Sequence, residues 1–182
     1  ANLVWNNYTS RGVPIAVSAH SMGGLVVRRA ITGVMNRDAG FPAYLYVSDV
    51  TTSGTPHFGA MVASLCAASI NLQCLQMAAG TDWLPRHLFI WALDLYGNPQ
   101  ADSYYGTDWT LIGSWCDEAV GGASSTRMYN AYRTSVTSNA VVLGVQTEVF
   151  NWFDPRGCFS HLELITKPAA LDLIFRGLAT SN

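Results

Sequence analysis

Charge is scarce in this chain of 182 residues: only 12% are Asp, Glu, Lys or Arg, against roughly 25% in an average soluble domain. With 49% hydrophobic residues the sequence has the means to build a core, which excludes disorder, and it has too few charges for a coiled coil. The basic residues are nine Arg and the single Lys167, with no run longer than Arg28-Arg29, and the net charge is −2. A nucleic-acid binder needs a basic stripe or patch, so no nucleic-acid partner is expected. No segment approaches the ~18 to 20 unbroken apolar residues of a membrane span. The nearest, Met61 to Ile70, is interrupted by Ser64 and Ser69, and a soluble or membrane-peripheral protein is expected. The first residues, ANLVWNNYTSRG, have neither the basic end nor the apolar core of an export signal. Cys66, Cys74, Cys116 and Cys158 make no close C-x-x-C pair and have no His at zinc spacing, so no metal is expected. They allow two disulfides in one of three connectivities, which points to an oxidising compartment.

The length suits one domain at ~150 residues per domain. Val13 to Ala19 is an uninterrupted apolar run, the pattern of a strand buried on both faces of a parallel sheet. From Met22 to about Met35, Leu25, Val26, Ala30, Ile31 and Val34 recur at helical spacing. Tyr44 to Val50 is a second predicted strand, followed by a Gly/Pro loop, TTSGTPHFG, over 51–59. Residues 60–107 alternate apolar helix-like pieces with turn signals, too long for a plain loop, and read as an inserted cap. Trp109 to Ser114 and Ala140 to Val145 are predicted strands on either side of a helix over 125–134. A closing helix starts at about Pro168, with Leu171, Ile174, Phe175 and Leu178 on one face.

The segment AHSMGG, 19–24, puts a serine directly between a predicted strand and a predicted helix. A sharp turn there needs small neighbours, exposes the hydroxyl at the top of the sheet and aims the next backbone N–H at a developing oxyanion. Ser21 is the candidate nucleophile and the Met22 N–H the candidate oxyanion donor. Ala19 stands where the pattern G-x-S-x-G has its first Gly. Such a serine needs an imidazole base, and the base needs a carboxylate to hold its tautomer. Of His20, His57, His87 and His161, the last lies past the final predicted strand, and the chain order serine, acid, histidine favours it. His20 is expected to point away from the nucleophile. Asp117, just after the third predicted strand, is the candidate acid, with Glu118 and Asp154 as rivals.

Four stretches together resemble the α/β-hydrolase lipases and esterases, above all secreted bacterial triacylglycerol lipases: VSAHSMGGLVVRRAI, TSGTPHFGA, LIGSWCDEAV and CFSHLEL. The segment QMAAGTDWLPRHL, 76–88, is similar to the one that closes the lid region in such lipases. The resemblance implies a mostly parallel sheet flanked by helices with a cap. It also implies a serine ester hydrolase that uses no cofactor and acts on acyl esters or lipids through Ser21, His161 and Asp117. An acyltransferase, a polyester depolymerase or a non-catalytic binding protein of the same ancestry are the alternatives. A fold that joins the acid and base loops also joins their neighbouring cysteines, so Cys116–Cys158 and Cys66–Cys74 are the expected disulfides. The resemblance allows calcium, with Glu163 as a conceivable ligand, but a single carboxylate is not a site.

The cap is rich in apolar residues, and Trp83, Leu84 and Phe89 are expected to meet an acyl chain or a lipid interface. In the resembled fold several strands, and a loop that donates a second oxyanion N–H, precede the nucleophile strand. Residues 1–182 therefore read as the C-terminal portion of one α/β-hydrolase domain, inert and insoluble alone, with a second polypeptide expected to supply the missing N-terminal strands. Secretion is expected from the cysteines and the resemblance.

Overall fold

The computed structural model describes residues 1–60, 62–63, 72–78, 106–126 and 145–179. Four strands form one parallel sheet in the order β1 (Ile15–His20), β2 (Val47–Ser53), β3 (Asp108–Ser114) and β4 (Val145–Phe150). A short helix α1 (Asn2–Asn7) precedes β1, and α2 (Met22–Met35) follows it after a single turn residue. Between β2 and β3 lies α3 (Leu72–Met77), between β3 and β4 lies α4 (Gly122–Ser125), and the chain closes with α5 (Pro168–Ala179). This is the α/β architecture expected, a parallel sheet between helices.

The alternation of side chains along each strand divides the core in two. On one face Val50 of β2 and Trp109 and Leu111 of β3 pack with Ile31 and Val34 of α2 and with Leu45. On the other, Ile112 and Phe150 pack with Phe159, Leu164 and the Ala170, Leu173 and Ile174 stripe of α5. The buried set Ala170, Leu173, Ile174 and Gly177 has the i, i+3, i+4, i+7 spacing of one helix face. It lies one residue round from the face expected, leaving Phe175 65% exposed. Small residues explain the rotation: a Cβ on Gly177 would collide with the Thr51 and Thr110 hydroxyls, so α5 lies directly on the sheet. A similar exchange occurs in α2, where Val26 is exposed while Arg28 is buried and donates from Nη1 to the carbonyl of His57 at 3.3 Å.

Against the predicted ranges, β1 starts two residues later and β2 three residues later. β2 runs on to Ser53, through Thr51, Thr52 and Ser53, which look like loop residues by polarity yet are buried between β1 and β3. Threonine's branched Cβ suits a strand, and the Thr52 hydroxyl meets His57 Nε2 at 2.9 Å. The described part of β4, Val145–Phe150, starts where the predicted strand ended and carries polar residues, Thr147 and Glu148, that an apolar run does not detect. The predicted positions 140–144, the body of the helix predicted over 125–134 and most of the proposed cap lie outside the described residues.

β1 stands at the opposite edge. It pairs with β2 alone among the described residues, and Ala16 and Ser18 are exposed. Among the described residues its outer backbone N–H and C=O groups have no strand partner, the template on which another strand can add.

Candidate active site

Because all four strands are parallel, the turn after β1 and the loops after β2, β3 and β4 emerge at the same end of the sheet. Ser21 is the single residue between β1 and α2. Its φ of 54° and ψ of −133° lie in a sparsely populated region for a residue with a Cβ, which costs about 1–3 kcal/mol. The strain is held by the Ser21 N–H donating to the carbonyl of Ser53 at 3.0 Å, at the end of β2. Ser21 occupies the N-cap position of α2, yet its hydroxyl makes no capping hydrogen bond. The Met22 amide opens α2, where the first N–H groups have no intrahelical acceptor.

The small residues around this turn act differently. A Cβ on Gly23 would stand 3.8 Å from that of Ala19, an ordinary contact, so alanine fits where the pattern has glycine. A Cβ on Gly24 would collide with the side chain of Thr55 in the loop after β2, so the first turn of α2 can lie there only as glycine.

Asp117 and His161 come from the loops after β3 and β4 and meet at 2.9 Å, Asp117 Oδ2 to His161 Nδ1. Asp117 is 4% exposed. Its other oxygen accepts the N–H groups of Ala119 and Val120, both at 2.9 Å. Burial pushes this carboxyl up, but the hydrogen bonds from His161, Val120 and Ala119 outweigh it and hold Asp117 below the usual carboxylate range. The same bond to Asp117 raises His161 above the ordinary imidazole value against the opposing effect of burial, with the Asp117 and Glu118 charges adding to the rise. With Nδ1 committed to Asp117, the remaining ring nitrogen, Nε2, is the one available to act as a base. Gly54, at φ 55°, makes room for the pair: a Cβ there would stand 2.9 Å from Asp117 Oδ2 and 3.1 Å from the His161 ring.

The two rivals to Asp117 have other partners. Asp154 pairs with Arg156 at 2.8 Å. Glu118 Oε2 accepts the backbone N–H of His161 at 3.1 Å, bracing the loop that carries the imidazole. The expected Cys116–Cys158 disulfide is present, with the Cα atoms 5.5 Å apart, and cross-links the acid and base loops beside Asp117 and His161. The buried hydroxyl of Ser114 repeats that link, accepting the N–H of Cys116 at 3.1 Å and of Phe159 at 2.9 Å. Only its place at the end of a predicted strand, three residues before Asp117, marked Ser114 in the sequence.

His20 departs from expectation. It turns toward the site rather than away: its ring lies on that of His161 with centroids 4.5 Å apart, and its Nε2 meets the His161 carbonyl at 3.0 Å. His57 is wholly buried, well below the ordinary imidazole value through burial and the nearby Arg28 charge, and faces Trp109 away from the site. Asp117 and His161 are therefore directly joined, whereas Ser21 reaches them through its neighbour His20, and no hydrogen bond links its hydroxyl to the imidazole.

The predicted acyl-contact residues Trp83, Leu84 and Phe89, together with His87 and Cys66, lie outside the described residues. Cys74 is disulfide-bonded. The carboxylate of Glu163 accepts the N–H and hydroxyl of Ser160 and pairs with Lys167. Among the described residues no three metal-binding side chains converge.

Residues 4–93 match the family model described as "Putative serine esterase (DUF676)". No curated protein matches the sequence. Among solved structures, the mature form of a lipase from Bacillus licheniformis is 17% identical with a TM-score of 0.53, over 96% of this chain and 69% of that one. A phospholipase from Legionella pneumophila in complex with thio-NAD is 16% identical with a TM-score of 0.47, over 70% of this chain and 31% of that one. Candida antarctica lipase A is 12% identical with a TM-score of 0.40, over 96% and 52%. The chain thus spans about a third of the phospholipase and about two thirds of the bacterial lipase. The likeness to the bacterial lipase and the parallel sheet show an α/β-hydrolase fold like that of the lipases and esterases.

Proposed function

We propose that this chain, with its α/β-hydrolase fold, carries the catalytic groups of a serine carboxylic-ester hydrolase. The observation that bears most weight is the bond between buried Asp117 and half-buried His161 at the end of the sheet where an uncapped serine sits on a strained strand-to-helix turn.

The chemistry follows from the placement of charge. Asp117, held ionised, keeps the His161 proton on Nδ1 and leaves the Nε2 lone pair free. The Ser21 hydroxyl gives its proton to Nε2 as its oxygen attacks the ester carbonyl. The Met22 N–H donates to the oxyanion of the tetrahedral intermediate. Collapse breaks the bond to the alcohol, which leaves with the proton from His161, and an acyl group remains on Ser21. Water then repeats the sequence: its proton passes to His161, its oxygen attacks the acyl carbon, and the acid departs as Ser21 is reprotonated. The resting gap between hydroxyl and imidazole is no obstacle, since such contacts often tighten only when substrate binds.

A long-chain acyl or lipid substrate belongs to this reading. In support, Trp115, Trp152, Phe153 and Leu162, in the loops that bear Asp117 and His161, are between 63% and 95% exposed. Secretion is supported by the disulfide beside the site. A strand from a second polypeptide along the outer edge of β1 is part of the same proposal, supported by the pairing of β1 with β2 alone among the described residues.

A fluorophosphonate probe followed by peptide mapping tests the activity. An adduct on Ser21 in the native protein, and none when the protein is heat-denatured before the probe is added, is expected. An intact protein that hydrolyses esters while labelling elsewhere, or not at all, overturns the assignment.

A further inference from the structure

A histidine immediately before a nucleophile has no necessary part in the chemistry above, yet His20 makes two contacts with His161. We propose that His20 is a positioning residue: its ring and its Nε2–H clamp the catalytic imidazole between the nucleophile turn and Asp117. The proposal rests on the ester-hydrolase reading for its kinetic consequence, and on geometry for the clamp.

The backbone and ring of His161 are gripped from three directions. Glu118 Oε2 accepts its N–H at 3.1 Å, Asp117 Oδ2 meets its Nδ1 at 2.9 Å, and His20 donates from Nε2 to its carbonyl at 3.0 Å. The first two come from the loop after β3; of the three only His20 comes from β1, the strand that leads into Ser21. The His20 ring also lies at 4.5 Å, tilted 42°, on the His161 ring, which limits how far the imidazole can rotate. Since His20 and Ser21 are consecutive, a shift of the base loop relative to the nucleophile turn must break this hydrogen bond. The clamp therefore transmits the register of β1 to the base.

The donor role requires a proton on Nε2, which the neutral ring supplies in one tautomer. Burial lowers the His20 pKa, the hydrogen bond to His161 opposes that effect, the His161 charge adds to the lowering and Asp117 again opposes it. His20 is thus neutral when His161 titrates, and two imidazolium rings do not face each other in the working pH range. Among the described residues the charged or titratable groups facing His161 are Asp117 and Glu118 from the loop after β3 and His20 from β1.

The test compares His20→Ala and His20→Gln in the intact protein, Gln being chosen because its amide N–H falls near the position of Nε2–H. With a soluble short-chain p-nitrophenyl ester, His20→Ala is expected to lower kcat about 10- to 100-fold, the scale of a ~1 Å misplacement, with KM changed less than twofold. Its acid limb should move to lower pH, because a His161 that slips from Asp117 loses what raises its pKa. His20→Gln should recover most of both. Wild-type kcat and pH profile in His20→Ala overturn the proposal, as does a loss of melting temperature alone with kcat per folded molecule unchanged. The His161 imidazole titration followed by NMR separates this proposal from the reaction itself. If Ser21 proves unreactive, a lowered His161 pKa in His20→Ala still supports the clamp, and an unchanged one overturns it.

Discussion

The loops after β3 and β4 and the turn after β1 meet at one end of the sheet and are built in contrasting ways. The acid and base loops are joined by a disulfide, by two N–H groups converging on the Ser114 hydroxyl, by the Glu118 carboxylate and by the Asp117–His161 bond. The Ser21 turn has no such redundancy. It stands on a strand paired on one side among the described residues, carries a left-handed φ and leaves its hydroxyl uncapped. The difference teaches a division of labour. A carboxylate and an imidazole from separate loops need cross-links to hold a hydrogen-bond geometry, whereas the nucleophile role proposed for Ser21 needs its hydroxyl withheld from the local partners a serine would ordinarily find.

If this contrast is right, Ser21→Gly separates activity from stability most sharply. Ester hydrolysis should fall by about 10⁶-fold, the scale of removing a serine nucleophile. The melting temperature should hold or rise, because glycine adopts the positive φ without the strain of about 1–3 kcal/mol. A large drop in melting temperature would mean that the turn is not strained.

Asp117→Asn addresses the other side. The rate should fall about 10⁴-fold as the imidazole loses its tautomer and orientation. On the proposed mechanism the wild-type reaction needs neutral His161, whose pKa is raised by Asp117, so activity should be full above that raised value and vanish as the pH falls through it. In the variant the acid limb should move down toward the ordinary imidazole range. An unmoved limb in a pH–rate profile would mean that another group titrates.

Breaking the cross-link comes next. Replacing Cys116 and Cys158 by serine opens a bridge between residues 42 apart, with an expected loss of up to about 4 kcal/mol by chain entropy, read in urea titrations. Ser114→Ala should cost less, about 1–3 kcal/mol, by leaving the buried Phe159 N–H and the half-buried Cys116 N–H without their acceptor. If the loops are held redundantly, the combined variant should lose more activity than the product of the separate losses. Simple additivity would show that the two links act independently.

How much could be read from the sequence varied with the range of the forces involved. The limits of α2 were legible because the elbow turn starts it and polar residues from Asn36 follow it. The start of α5 was legible from Pro168. The face α5 buries was not, because close approach through Ala170 and Gly177 outweighs apolar volume and depends on what the sheet presents opposite. Threonines 51 and 52 carried loop chemistry in isolation and became strand residues through pairing on both sides. Within the site, Ser21 was visible because a strand, a small-residue turn and a helix adjoin in the chain. Asp117 was preferred to Glu118 and Asp154 for its place after the third predicted strand, and the structure joins it, not its rivals, to His161 Nδ1.

The sequence by itself determined the alternation of strand and helix and the serine on the turn between β1 and α2. Both follow from side-chain periodicity and steric bulk, which act over a few residues. Tertiary structure alone decided that Asp117 rather than its rivals meets His161, that Ser114 stitches their loops and that His20 turns inward onto the imidazole. Each of those contacts joins residues far apart in the chain, and a hydrogen bond of about 3 Å between them exists only once the parallel sheet has brought its loops to one end.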